Sequence, residues 1–181
     1  MKSVLISIQP KWCELIANGK KTVEVRKTKP KLETPFKVYI YCTQKGDNVF
    51  IVGDKAHKFN GKVIGEFVCD EIKEIRADNL VAIYFNNPCE NTCLNDLEMR
   101  EYANGKNLFL WHISNLVIYD EPRELSEFYN ECEKPECEDC PYLHFENTPN
   151  SYEGWCEYDE KIPIKRPPQS WCYVESEVEG E

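Results

Sequence analysis

The chain has no apolar run near the roughly 18 residues that a membrane-spanning helix needs, so no membrane partner is expected. Its opening, "MKSVLISIQPKW", lacks the apolar core and small-residue cleavage site of a secretory signal, and a cytoplasmic setting is expected. No internal repeat is present. Cations nearly vanish from one stretch: between Asp120 and Glu160 there are 14 acids against Arg123 and Lys134 alone. That stretch also has too few apolar residues for a core of its own, which excludes an independently packed second domain there unless something staples it.

What is present fits one domain of ordinary size with an appendage, in 181 residues. The net charge of −10 is unevenly divided. Residues 1–60 carry 12 Lys or Arg against 5 acids, a local excess of +7, which leaves −17 for the remainder. A cationic third on an acidic body suits an anionic ligand held locally, and the acidic remainder argues against a protein that coats duplex DNA.

Ten cysteines in a chain without a secretory signal point to thiols used in the core or as metal ligands, because the reducing cytosol does not sustain disulfides. Cys13, Cys42 and Cys69 sit alone in apolar stretches and read as small buried side chains. Cys132, Cys137, Cys140 and Cys156 follow the spacing C-x4-C-x2-C-x15-C within the core-poor stretch. Four thiolates there predict a structural Zn²⁺ site, with His144 as an alternative to any one of them. Cys89 and Cys93 are a lesser candidate pair.

"SVLISIQ" alternates as a strand, Pro10 opens a helix, and Gly19 ends it. "KTVEVRK", "PFKVYIYCT" and "GKVIGEFVCDEIKEI" read as strands, the last with a bulge expected at Gly65. "LNDLEMREYANG" reads as a helix with a thin apolar stripe of Leu94, Leu97 and Tyr102. "NLFLWHISNLVIYDEP" reads as one long strand bent near Asn115, and "RPPQSWCYVE" as a proline-set arm and a closing strand.

Three groups of residues carry chemistry. Alternation puts His112 and Ser114 side by side in an otherwise apolar row, as expected of a pocket floor or of a histidine bonded within the core. Gln169, Ser170 and Trp171 supply an amide, a hydroxyl and an indole, the parts that bond a base edge and stack on its face. Gly19, Lys21, Glu24 and Arg26 form G-x-K-x-x-E-x-R, with Thr22, Glu24 and Arg26 on one strand face and Val23 and Val25 on the core face. On an open surface Glu24 and Arg26 are a minor ion pair, whereas in a cavity they are poised for a polar ligand.

That motif after a first helix, together with "LWHISNLVIYDEP" and "RPPQSWCYVE", resembles the ASCH domains of the PUA-like superfamily, and in particular a phage and prophage branch with a cysteine-rich insertion. The resemblance implies an α+β fold, a PUA-like mixed β-barrel with flanking helices, to which the zinc-stapled appendage is added. The expected layout is residues 1–122 plus 161–176 as the ASCH domain, 123–160 as the cysteine-rich insertion and 177–181 as an acidic tail. It further implies a cleft for a nucleotide, a modified nucleoside or RNA. Lys21, Glu24 and Arg26 would line it, joined by Ser7, Gln9, Trp12, Thr22 and Lys27 and by the two later groups. An ASCH relative is an acetylcytidine amidohydrolase that uses a lysine, a threonine and a glutamate. Lys21 matches its lysine, but Glu24 stands where it has threonine, so binding is favoured over catalysis by Lys21 and Glu24. A zinc-stapled protein-interaction module is the third reading.

Overall fold

The computed structural model describes residues 2–45, 49–52, 55–79, 91–131, 143–145, 154–156 and 161–175. In chain order the elements are β1 (Lys2–Ile8), α1 (Pro10–Ala17), β2 (Val23–Arg26), β3 (Phe36–Cys42), β4 (Phe50–Val52), β5 (Lys55–His57), β6 (Lys62–Cys69) and β7 (Ile72–Ile75). They continue with α2 (Asp96–Ala103), β8 (Leu108–His112), β9 (Ser114–Arg123), β10 (Tyr129–Glu131), β11 (Leu143–Phe145), β12 (Gly154–Cys156), β13 (Lys161–Pro163) and β14 (Trp171–Glu175). The class is α+β, mostly strand, with two α-helices among the described residues.

The main sheet has the order β14-β1-β3-β6-β9. Only β1 and β3 run parallel, because α1 and β2 lie between them and supply the crossover that parallel pairing needs. β1 is buried on both faces past Lys2, with Ser3 and Ser7 as the buried polar residues on the Leu5 face. Val4, Ile6 and Ile8 meet Cys13 and Ile16 of α1, Phe67 and Trp111 in the principal core. On the other face Leu5 packs with Tyr39, Phe128, Ile164 and Val174. The lone thiols Cys13, Cys42 and Cys69 are fully buried, and burial pushes Cys69 up to about 12.

α1 begins with Pro10 in its first turn and ends where Gly19 takes φ 68°, a left-handed value that glycine adopts without strain. α2 has a full capping box, in which Asn95 accepts from the Glu98 amide and Glu98 accepts from the Asn95 amide. Its buried residues are Met99 and Ala103, with Leu94 packed against the same cluster, while Leu97 is 65% exposed, so the core stripe keeps Leu94 but not Leu97. Met99 and Ala103 pack on Val25, Leu108 and Leu110, and this small cluster seats α2 against β2 and β8.

The expected barrel is not closed among the described residues. A second sheet, β2-β8-β7, stands beside the main one. The two join at a double corner: β6 breaks into β7 at Asp70 and Glu71, and β8 breaks into β9 at Ile113, with the Ile113 amide bonded to the Thr22 carbonyl and Asn115 at φ 47°. The far sides end in two edge strands, β2 and β14, which share no backbone ladder. Side chains cross that seam instead. Arg26 Nη2 donates to the Ser7 carbonyl at 2.7 Å, Trp171 Nε1 donates to Thr28 Oγ1 at 2.9 Å, and the Lys31 amide donates to the Tyr173 hydroxyl at 2.7 Å.

Candidate functional site

Beside this seam lies a cleft of about 620 Å³. The parallel pairing of β1 and β3 brings their carboxyl ends to the same edge, so Ser7 and Gln9 at one end meet Thr43, Gln44 and Lys45 at the other. β2 contributes Glu24 and Arg26, α1 contributes Trp12, α2 contributes Tyr102, and the proline-set arm contributes Pro168 and Gln169. Lys21 rises from the turn after α1.

The charges of the motif are inside. Lys21, Glu24 and Arg26 are 2%, 6% and 7% exposed. Glu24 and Trp111 are directly opposed in the β2–β8 ladder and therefore share a face, the one turned toward the principal core. Val25 takes the other face, under α2, so both faces of β2 are covered. Three charges buried together are tolerable only if each is bonded. Lys21 Nζ donates to the carbonyls of Val23 at 2.8 Å and Thr92 at 2.7 Å and stands 3.4 Å from Glu24 Oε2. Glu24 Oε1 pairs with Arg26 Nη2 at 3.0 Å. Lys21 thereby donates to two backbone carbonyls and pairs with Glu24, and both oxygens of Glu24 face a cation.

Arg26 is bonded unevenly. Nη2 holds Ser7 and Glu24 closely, Nη1 reaches the carbonyl and hydroxyl of Ser170 only at 3.5 Å, and Nε is buried without a partner. Ser7 is bonded on every polar atom: its amide donates to the Ser170 carbonyl, its hydroxyl donates to the Pro168 carbonyl at 2.7 Å, and its carbonyl accepts from Arg26. These bonds fix the arm that carries Gln169. Gly61 leaves room for the Gln44 side chain in another wall, since a Cβ there would stand 2.7 Å from Gln44 Nε2.

Two aromatic rings border the cleft. Trp12 carries Lys11 at 4.4 Å and Lys21 at 5.2 Å from its ring centroid, and Tyr102 carries Lys27 at 4.9 Å. Burial, with Glu24 adding to it and Arg26 opposing, raises the Tyr102 phenol above its ordinary range, so it stays a hydrogen-bond donor.

Of the residues expected at the site, Ser7, Gln9, Trp12, Lys21, Glu24, Arg26 and Gln169 line this cleft. Ser170 stands behind Arg26 rather than on the wall. Thr22 bonds through its backbone to Asn91 and Ile113, Lys27 covers Tyr102, and Trp171 packs on Trp111 and Tyr173. His112 and Ser114 are elsewhere. The corner at Ile113 breaks the alternation, turning His112 outward to Asp70 at 2.7 Å and Ser114 to the Val68 carbonyl at 2.8 Å. Neither lines this cleft. Sequence reading missed Thr43, Gln44, Lys45 and Tyr102. The polar run "TQK" closing a strand parallel to β1 was the available signal for the first three; Tyr102 needed the Met99 stripe of α2.

Cys132, Cys137 and Cys140 lie outside the described residues, and Cys156 and His144 are described as backbone only, in the paired strands β12 and β11. Among the described residues no cluster of His, Cys, Asp and Glu is arranged to hold a metal. No helix among them is long and apolar enough to cross a membrane.

No curated protein matches this sequence. Among solved structures, the fold is similar to ASCH from Zymomonas mobilis, at 22% identity over 68% of this chain and 73% of that one, with a TM-score of 0.50. A Tyr-to-Phe mutant of that protein aligns at 21% identity over 69% and 77%, with a TM-score of 0.51. At such identities the likeness concerns fold alone. The family model described as ASCH domain matches residues 6–178, nearly the whole sequence and including the G-x-K-x-x-E-x-R segment, and on that match the chain belongs to the ASCH domain family.

Proposed function

We propose that this ASCH domain is a binding module whose cleft takes a nucleotide or a modified nucleoside, free or within RNA. One observation carries the reading: three glutamine side chains, Gln9, Gln44 and Gln169, come from three separate segments to one cleft that also holds Arg26, Trp12 and Tyr102. Amides that both donate and accept suit the edges of a base, aromatic rings suit its faces, and a buried cation suits a sugar-phosphate oxygen.

Binding is favoured over amide hydrolysis by the state of Lys21 and Glu24. A general base needs a lone pair aimed at the substrate, and a nucleophile needs the same. Lys21 donates to two backbone carbonyls and pairs with Glu24, and Glu24 has a cation beside each oxygen. A phage or prophage lineage, a PUA-like kinship, a cytoplasmic setting and a zinc-stapled 123–160 segment belong to the same reading and rest on the sequence.

The test is calorimetric titration with the common nucleosides and nucleotides, acetylcytidine and a short single-stranded RNA. Saturable binding weakened by Gln44→Ala and by Gln169→Ala is expected. No binding to any of them overturns the proposal. Release of cytidine from acetylcytidine, lost in Lys21→Met, would replace it with the hydrolase reading.

A further inference from the structure

Outside the cleft walls, lysines and aromatic rings are paired along the segment that crosses the seam. Residues 27–31 leave β2 after Arg26 and reach β14 of the main sheet, where Thr28 Oγ1 accepts from Trp171 Nε1 at 2.9 Å and the Lys31 amide donates to the Tyr173 hydroxyl at 2.7 Å. Pro30 is buried between these anchors, and the three lysines occupy every second position. Lys27 lies 4.9 Å from the ring centroid of Tyr102, a cleft residue, and Lys29 lies 5.4 Å from that of Phe109, which faces Arg26 in the β2–β8 ladder. Lys11 stands 4.4 Å from the centroid of Trp12, another cleft residue. Lys11, Lys29 and Lys31 are exposed. A cation over a ring at an exposed site gains about 0.5–1 kcal/mol and keeps its full charge, since the stem covers the ring and the head stays in water. Among the described residues no carboxylate pairs with Lys11, Lys27, Lys29 or Lys31.

A row of lysines without acid partners, on a chain of net charge −10, is a local attraction for a polyanion. A single nucleotide held in the cleft gains nothing from Lys29 and Lys31, which are not on its walls. A strand with one base in the cleft carries its next phosphates past the rim, where the lysines stand. We propose, on the footing of the nucleotide-binding reading, that Lys27, Lys29 and Lys31 form a track for the sugar-phosphate backbone of single-stranded RNA whose base occupies the cleft. A single strand suits the arrangement because its unstacked bases reach amides and rings while its phosphates follow a basic groove. An acidic protein segment would match the lysines but leave the glutamines and rings of the cleft unused.

The experiment measures, by calorimetry between about 50 and 200 mM salt, the binding of a nucleoside, its monophosphate and a single-stranded RNA of about six nucleotides that contains it. The RNA is expected to bind about tenfold or more tighter than either monomer at low salt, with log K falling against log salt by about 0.7 for each phosphate held. The double variant Lys29→Gln with Lys31→Gln, at two exposed positions outside the core, is expected to weaken RNA binding about tenfold and to reduce that slope by about 1.4, with nucleoside affinity unchanged. Lys73→Gln with Lys106→Gln removes the same charge on and beside β7, at the opposite edge of the second sheet, and is expected to leave the slope as it was. RNA that binds no tighter than the monomers, or that the two double variants weaken equally, overturns the track and leaves nucleoside binding standing. A glutamate-rich peptide that displaces RNA as well as RNA itself does assigns the lysines to an acidic protein and also overturns it. If neither monomers nor RNA bind, both readings fall.

Discussion

Arg26 and Ser7 join the two sheets where the backbone does not: Nη2 of the one donates to the carbonyl of the other at 2.7 Å, across the seam between β2 and the β1–β14 pair. A closed barrel would have spent these edges on ladder bonds and left no room between them. Here the seam is tied by side chains, and the cleft opens beside the tie. The same guanidinium holds Glu24, so one residue couples the integrity of the fold to the charge of the site.

Removing that residue should therefore cost stability as well as binding. Arg26→Met leaves Glu24 buried with Lys21 as its remaining cation, and breaking a buried pair from one side costs about 3–5 kcal/mol. The double variant Arg26→Met with Glu24→Gln should recover part of the loss. Urea denaturation curves of the three proteins check this; a single-variant loss below about 1 kcal/mol, the worth of an exposed pair, contradicts the buried network.

Gly65 interrupts β6 at a register shift against β9, and a Cβ there would lie 2.3 Å from the Val117 carbonyl oxygen, a backbone atom that cannot swing aside. Gly65→Ala should destabilise by about 1–3 kcal/mol through this overpacking. Gly19→Ala meets no atom within 4 Å but must hold φ 68°, so its smaller cost comes from backbone strain alone. Thermal melts of both variants should rank Gly65→Ala as the worse.

At the double corner the hydrogen bond to His112 holds the Asp70 carboxyl below its ordinary range. A depressed folded pKa means stability that is present above the unfolded value and lost as pH falls through the folded one. The Asp70 contribution is thus full at neutral pH and disappears in the acid limb, below the ordinary carboxyl value. Carboxyl carbon shifts should show Asp70 titrating below 3.8, the value of a free side chain, and His112→Ala should bring it back. A midpoint at or above that value in the unmodified protein contradicts the assignment.

The spacing of Cys132, Cys137, Cys140 and Cys156 leads us to expect about one equivalent of zinc in protein purified without chelator. Cys137→Ser should lower it and expose the 123–160 stretch to proteolysis, with the cleft's ligand affinity retained. Less than half an equivalent in the unmodified protein would falsify the four-ligand site.

Much of this was determined by local sequence. Alternation and terminators gave β1, α1, β2 and β3, because a Pro start, a Gly stop and a two-residue period act over a few neighbours. The bulge at Gly65 was legible for the same reason, and so was the burial of Cys13, Cys42 and Cys69 within apolar runs. The motif Lys21, Glu24 and Arg26 could be seen as a charged set. That it lies inside, 2–7% exposed, could not, because either face of β2 could have met the core and only α2, docking through Met99 and Ala103, covered the valine side. His112 and Ser114 left the expected pocket because a corner at Ile113 resets the alternation, and a corner is imposed by the partner strand rather than by the residue itself. Gln44, Lys45 and Tyr102 joined the site through pairings between segments far apart in sequence, the parallel alignment of β1 with β3 and the docking of α2. The sequence alone could supply the cations. Only the tertiary structure decided that they would flank an open seam, since two edge strands that share no ladder with each other arise from the order of strands in the two sheets.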